Sequence, residues 1–176
     1  MIISPVFQLM MDEHRIIERA LNYSKTLDGL WMEDVHTYTD NILKLTDFFK
    51  EYSDAYHHNK EEVDLFKELI RQNEMLKDGI VGEFIQQHED FRDYVRNITE
   101  SANHKDYGLS FKLLMEYREE LLMHIEAEDD ELFPMAEGMF SDSEKETMYF
   151  RFQDIDRELG VERKIRFENW VDTISG

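Results

Sequence analysis

The sequence predicts an all-α fold, an up-down-up-down four-helix bundle with short helices added at its C-terminal end. Three observations carry this expectation. Apolar residues recur at spacings of three and four along nearly the whole chain, the period of a helix face. Only seven Gly and two Pro occur in 176 residues, too few turn-formers for a many-stranded sandwich or barrel. Charged residues make up 34%, enough to give each helix a solvated face opposite its apolar one.

Ser4-Pro5 opens the first helix, with Ser as its cap and Pro at the first helical position. Val6, Leu9, Met10, Ile17 and Leu21 mark its apolar face, and it ends near Asp28-Gly29. A second helical stretch runs over about 33–71, a length at which a bend or break is expected. The stretch 72–82, with Asn73, Asp78-Gly79 and Gly82, reads as a connection. A third helix follows to about Ser101, then a turn over 103–108 and a fourth helix over about 109–133, ended by Pro134. Ser141-Asp142-Ser143-Glu144 is a capping-box pattern that opens a fifth helix. A short last helix over about 161–174 follows the break at Gly160. The chain reads as one domain over 1–176, with the bundle at about 4–140 and a helical appendage at about 141–176; its length suits a single core.

The balance of 20 basic against 40 acidic residues gives a formal net charge of −20. Such a surface repels nucleic-acid phosphates and anionic membranes, so neither is an expected partner. The absence of Cys excludes disulfides, thiolate ligation and thiol chemistry. The first fifteen residues show no basic segment followed by an apolar one, and no run approaches the roughly 20 apolar residues of a membrane span. The sequence reads as soluble and cytoplasmic.

One internal similarity stands out. His57-His58-Asn59-Lys60-Glu61 through Leu65-Phe66 and His124-Ile125-Glu126-Ala127-Glu128 through Leu132-Phe133 share the pattern His-x-x-x-Glu-x-x-x-Leu-Phe. Residues four apart lie on one helix face, so His57 with Glu61, and His124 with Glu128, each offer an imidazole and a carboxylate to one point. His14 falls on the stripe Met10, His14, Ile17, Leu21, and His88 on the stripe Phe84, His88, Phe91, Val95. Each long helix thus turns one His inward, and two add a Glu. Burying these groups unpartnered is costly, and a pair of metal ions removes the cost. Imidazole and carboxylate suit iron, and a carboxylate can bridge two ions. Four His, two bridging Glu and a solvent-derived oxo or hydroxo bridge would give two five-coordinate metals, each with an open position. Tyr117, before His124 on the same stripe, reads first as packing and second as a pocket residue; Glu120 reads as exposed. His36, His58 and His104 lack a matching partner and read as surface or supporting residues. The register-shifted alternative is His58 with Glu62.

His14 in Glu-His-Arg, the HHNKEE run ending in Leu-Phe, His88 in His-Glu-Asp-Phe-Arg, and HIEAEDDELFP together resemble the hemerythrin, or HHE cation-binding, family. The resemblance covers about residues 4–140, and the fifth helix looks compatible with it. It implies a non-haem di-iron centre, two irons joined by an oxo or hydroxo bridge, with ligands His14, His57, Glu61, His88, His124 and Glu128. The oxygen-carrying members have two His one turn apart on the third helix, whereas here Phe84 and Arg92 flank His88 at four residues. The site therefore resembles the family's four-His branch. The resemblance implies a small ligand (dioxygen, nitric oxide or peroxide) and a redox partner, in sensing, detoxification or iron handling. Either turnover, as a nitric oxide or peroxide reductase or an oxidase, or a non-enzymatic regulatory or interaction role fits it.

Overall fold

The computed structural model describes residues 3–175, and among these every regular element is helical. Helix α1 (Pro5–Ser24) ends in a 3-10 turn (Lys25–Leu27), and Gly29 at φ +69° turns the chain into the short α2 (Leu30–Glu33). Asp34 caps α3 (Val35–Phe48) by accepting from the His36 and Thr37 backbone N–H groups. The rod does not break there. It continues through two π-helical segments, Phe49–His58 and Glu61–Leu65, into α4 (Phe66–Gln72). A 3-10 turn (Glu74–Asp78) leads to α5 (Ile80–Asn103), which packs against α6 (Tyr107–Ala127). These four rods form the bundle.

Two expectations about helix ends are corrected. Ser4 adopts the extended conformation of a cap, but its side chain caps nothing; its backbone N–H instead donates to Glu137 Oε2 at 2.9 Å. Pro134 does not end the fourth rod. After α6 the chain winds as a π segment (Glu128–Leu132) and returns to α winding in α7 (Phe133–Met139). The change of winding starts a new helical segment, and Pro is tolerated in a first turn because its missing N–H would have had no partner there.

The core has two apolar bodies. Ile17, Leu21, Ile42, Leu45, Ile98, Leu114 and Leu121 belong to one. Phe7, Met10, Leu65, Leu69, Phe84, Leu132 and Phe133 belong to the other. Between them lies a layer in which His14, His57, His58, Glu61, His88, His124 and Glu128 are all buried. Along α1 this layer interrupts the apolar stripe between Met10 and Ile17, and along α5 between Phe84 and Phe91.

The C-terminal pair is more than an appendage. Ser141 and Glu144 close the expected capping box at the start of α8 (Asp142–Leu159), and Gly160 at φ +103° turns the chain into α9 (Val161–Ile174). The Tyr56 hydroxyl lies 3.0 and 2.8 Å from the carbonyls of Leu159 and Gly160 at this corner. Both helices pack on α1, and they send Asp156 and Lys164 into the interior. Among the described residues, no helix is long and apolar enough to cross a membrane.

Candidate metal centre

Two groups of ligand atoms meet in the buried layer. One gathers His14, His57, Glu61 and Glu128, and the other His58, His88, His124 and Glu61, all buried and with the ligand atoms of each group within 4.8 Å of one another. The two glutamates face both groups. Glu61 Oε1 lies 3.6 Å from His57 Nε2, and its Oε2 lies 3.5 Å from His88 Nε2. Glu128 Oε2 lies 3.2 Å from His14 Nε2, and its Oε1 lies 3.3 Å from His124 Nε2.

The six residues singled out in the sequence are all brought together here. His58 joins them, contrary to the expectation that it is a surface or supporting residue, so that five imidazoles gather where four were expected; it is only 2% exposed. The choice between His57–Glu61 and His58–Glu62 thus resolves into both histidines with one glutamate. Glu62 stands behind the group, where it meets His88 Nδ1 at 2.8 Å. Glu61 has a His at i−4 and another at i−3, and both spacings share a helix face; that was the available signal. The π winding that ends at His58 and resumes at Glu61 departs from the α period on which the stripes were drawn, as π segments at functional sites commonly do. His36 and His104 are exposed, as is Glu120, which accepts from the Tyr94 hydroxyl at 2.9 Å.

The outer nitrogens of the imidazoles are held across helices. His14 Nδ1 meets Asp129 at 2.7 Å, His57 Nδ1 meets Glu13 at 2.9 Å, and His124 Nδ1 meets Gln87 at 2.7 Å. With the Glu62 contact of His88, four imidazoles have Nδ1 tied to an oxygen. His58 is looser, its Nδ1 standing 3.6 Å from Asp54. Such outer partners fix the tautomer and aim Nε2 at a metal. Each of the four close partners is a sequence neighbour of one inward residue yet serves another: Glu13 beside His14 holds His57, and Gln87 beside His88 holds His124. Glu13 is itself anchored by two buried lysines, Lys60 at 2.6 Å and Lys164, both of which also reach Asp156. Sequence reading found none of these supports.

The electrostatics suit a layer that holds cations. Burial, reinforced by Glu128, pushes the Glu61 carboxyl well above the usual carboxylate range. Burial acts the same way on Glu128, but His124 and His14 outweigh it and hold Glu128 well below that range. Burial and the neighbouring His14 push His57 down to about 3. Burial works against the charged form of His14 as well, but its hydrogen bond to Asp129 and the negative charge of the nearby Glu128 raise it to about 9. Both oxygens of Glu61 and of Glu128, together with Nε2 of His14 and of His57, are buried without a hydrogen-bond partner. Seldom does a protein interior tolerate so many. Cations between the two groups would satisfy all six atoms, so the donor set fits metal.

A family model for the hemerythrin HHE cation binding domain matches residues 6–157. The chain belongs to that family. No curated protein and no solved structure matches it. The family match takes in the four rods and nearly all of α8, and stops before α9. Lys164, which anchors the buried Glu13 of this hemerythrin-family chain, therefore lies outside the matched region.

Proposed function

We propose that this hemerythrin-family chain holds two non-haem irons in its buried layer. There it binds dioxygen, nitric oxide or peroxide, in sensing, detoxification or iron handling. The observation that carries the reading is the pair of buried, unpartnered carboxylates, each with one oxygen toward either group of imidazoles. One ion would leave half of those oxygens orphaned, whereas two would use all four. His14 and His57 would serve one ion; His58, His88 and His124 would serve the other.

Iron would supply reversible redox change and a coordination position for the small ligand. The chain's own residues do the rest. Asp129, Glu13, Glu62 and Gln87 hold the imidazoles in one tautomer. Aromatic rings keep water from the layer: Phe133 stacks on His14 at 5.5 Å, Phe66 on His88 at 5.7 Å, and Phe84 and Phe91 stand edge-on to His124 at 5.0 and 5.1 Å. In the metal-free chain, protons on Glu61 and His14 offset part of the charge imbalance.

A regulatory role, in which the bundle's stability reports iron status, draws support from the position of the layer between the two apolar bodies. Loss of the cations would leave crowded polar groups in the middle of the core.

The test is metal content with the near-ultraviolet and visible spectrum after expression with iron, followed by turnover of nitric oxide or peroxide with a reductant. About two irons per chain, with charge-transfer absorption that bleaches on reduction, are expected. Turnover separates the enzyme from the regulator. No metal, or a single tightly held zinc, would overturn the di-iron reading.

A further inference from the structure

Beside His58 the bundle opens into a cavity of about 440 Å³ that neither the ligands nor their supports fill. Its apolar wall is made by Phe49, Phe91, Val95 and Tyr117. Three aromatic rings meet there: Phe49 and Tyr117 lie 4.9 Å apart at 60°, and Phe91 and Tyr117 lie 5.8 Å apart at 89°. The Phe91 ring also stacks on His58 at 6.0 Å, which links the wall directly to the metal-ligand layer.

Two features say what such a cavity would take. Tyr117 is 1% exposed and lines the cavity; its hydroxyl makes no hydrogen bond among the described residues and is not one of the sealed, orphaned polar atoms of the interior, so it is open to an occupant. The two rim arginines are already matched. Arg92 meets Asp54 at 2.8 Å, Glu62 at 2.6 Å and Glu89 at 2.7 Å; Arg96 meets Asp93 at 2.8 Å; Lys50 stands 4.0 Å from Glu51. Neither rim arginine is left over for an anion, and a net charge of −20 repels one at longer range.

We infer that this cavity is a binding site for a compact aromatic molecule without negative charge, whose polar atom pairs with the Tyr117 hydroxyl. Size supports a molecule rather than a passing gas. An apolar cavity of about 150 Å³ already admits benzene, and organic-ligand pockets start at roughly 300 Å³. The rings of Phe49, Phe91 and Tyr117 offer faces and edges to an aromatic guest. The site itself stands on the cavity alone. That its occupant sits beside the metal centre, next to the most loosely held of the five imidazoles, rests on the function proposed above.

The probe is 4-fluorophenol, followed by fluorine NMR on the full chain, first metal-free and then loaded with iron or zinc. A saturable shift is expected in the metal-free protein. Val95→Trp and, independently, Thr99→Trp fill the cavity and abolish it. Tyr117→Phe weakens binding about tenfold, the worth of one hydrogen bond. The iron-loaded protein broadens the bound signal far more than the zinc-loaded protein does. No saturable shift in the wild-type chain overturns the site, as does a shift unchanged by both tryptophans. Failure to take up iron would sink the di-iron reading while the metal-free titration still decides the cavity.

Discussion

The two halves of the buried layer share their carboxylates but are supported differently. On the side of His14 and His57, both imidazoles lean on carboxylates, and one of those, Glu13, is clamped by Lys60 and Lys164 with Asp156. On the side of His58, His88 and His124, the supports are Glu62, the neutral Gln87 and a distant Asp54, and a cavity adjoins. The first half has fewer imidazoles in a rigid, charged frame. The second has more imidazoles in a looser one. A bundle can thus set ligand number and ligand rigidity separately, because every support but Asp54, which shares a helix with His58, comes from a different helix than the imidazole it holds.

Variants that remove what the halves share should have the largest effect. Glu128→Ala should lose both metals together, since its two oxygens face both groups, and with them the linked stability. That loss is about 4 kcal/mol for each ion held at roughly a thousandfold over its Kd. Metal analysis and thermal melts of the loaded protein check this; unchanged metal content would count heavily against the centre. His57→Ala and His58→Ala sharpen the contrast. The first leaves a single imidazole on its side and should drop the chain to about one iron. The second leaves two imidazoles and should retain both ions with weaker affinity, read by competition with a chelator.

Lys164→Met asks whether the clamp matters. Breaking a buried charge network by removing one partner costs on the order of 3 kcal/mol, and loosening the support of a metal-bound His costs about 10–100-fold in metal affinity. The loss should fall on one ion of the two. Arg19→Ala breaks an exposed contact between α1 and the Asp172 of α9, and should shift stability by less than about 1 kcal/mol with metal content intact. If both variants lose metal equally, the docking of α9 matters and the buried lysine does not.

The pH dependence follows from Glu61, raised above the carboxylate range, and His14, raised to about 9. Both groups favour the protonated form in the metal-free fold, so the stability they contribute is present at low pH and is lost as pH rises through their raised values. Metal must displace those protons, so its affinity climbs over the same range. The melting-temperature gap between loaded and metal-free protein should widen from about pH 5 to about pH 8. A gap that narrows would show that these two groups do not carry the protons.

Much of the centre was legible because its spacing repeats. His57-x-x-x-Glu61 and His124-x-x-x-Glu128 are visible in a single sequence, and so are His14 and His88 as breaks in apolar stripes. His58 was hidden because the repeat pairs each Glu with the His four residues before it, which leaves the three-residue spacing of His58 to Glu61 without a counterpart on the fourth helix. Pro134 does not stop its rod because the winding changes just before it. Ser4 had a cap's residue type and conformation, but its side chain found no role there.

Composition and period determined that this chain forms helices, that its core is apolar with a polar interruption, and that the interruption consists of imidazoles and carboxylates. Those properties depend on residues three or four apart, which local geometry brings to one face. Tertiary structure alone decided which oxygen faces which imidazole and that Glu13 serves His57 rather than its neighbour His14. It also decided that Lys164, 151 positions from Glu13, completes the clamp. Those pairings join helices distant in sequence, and only the packing of one rod against another brings them within a hydrogen bond's length.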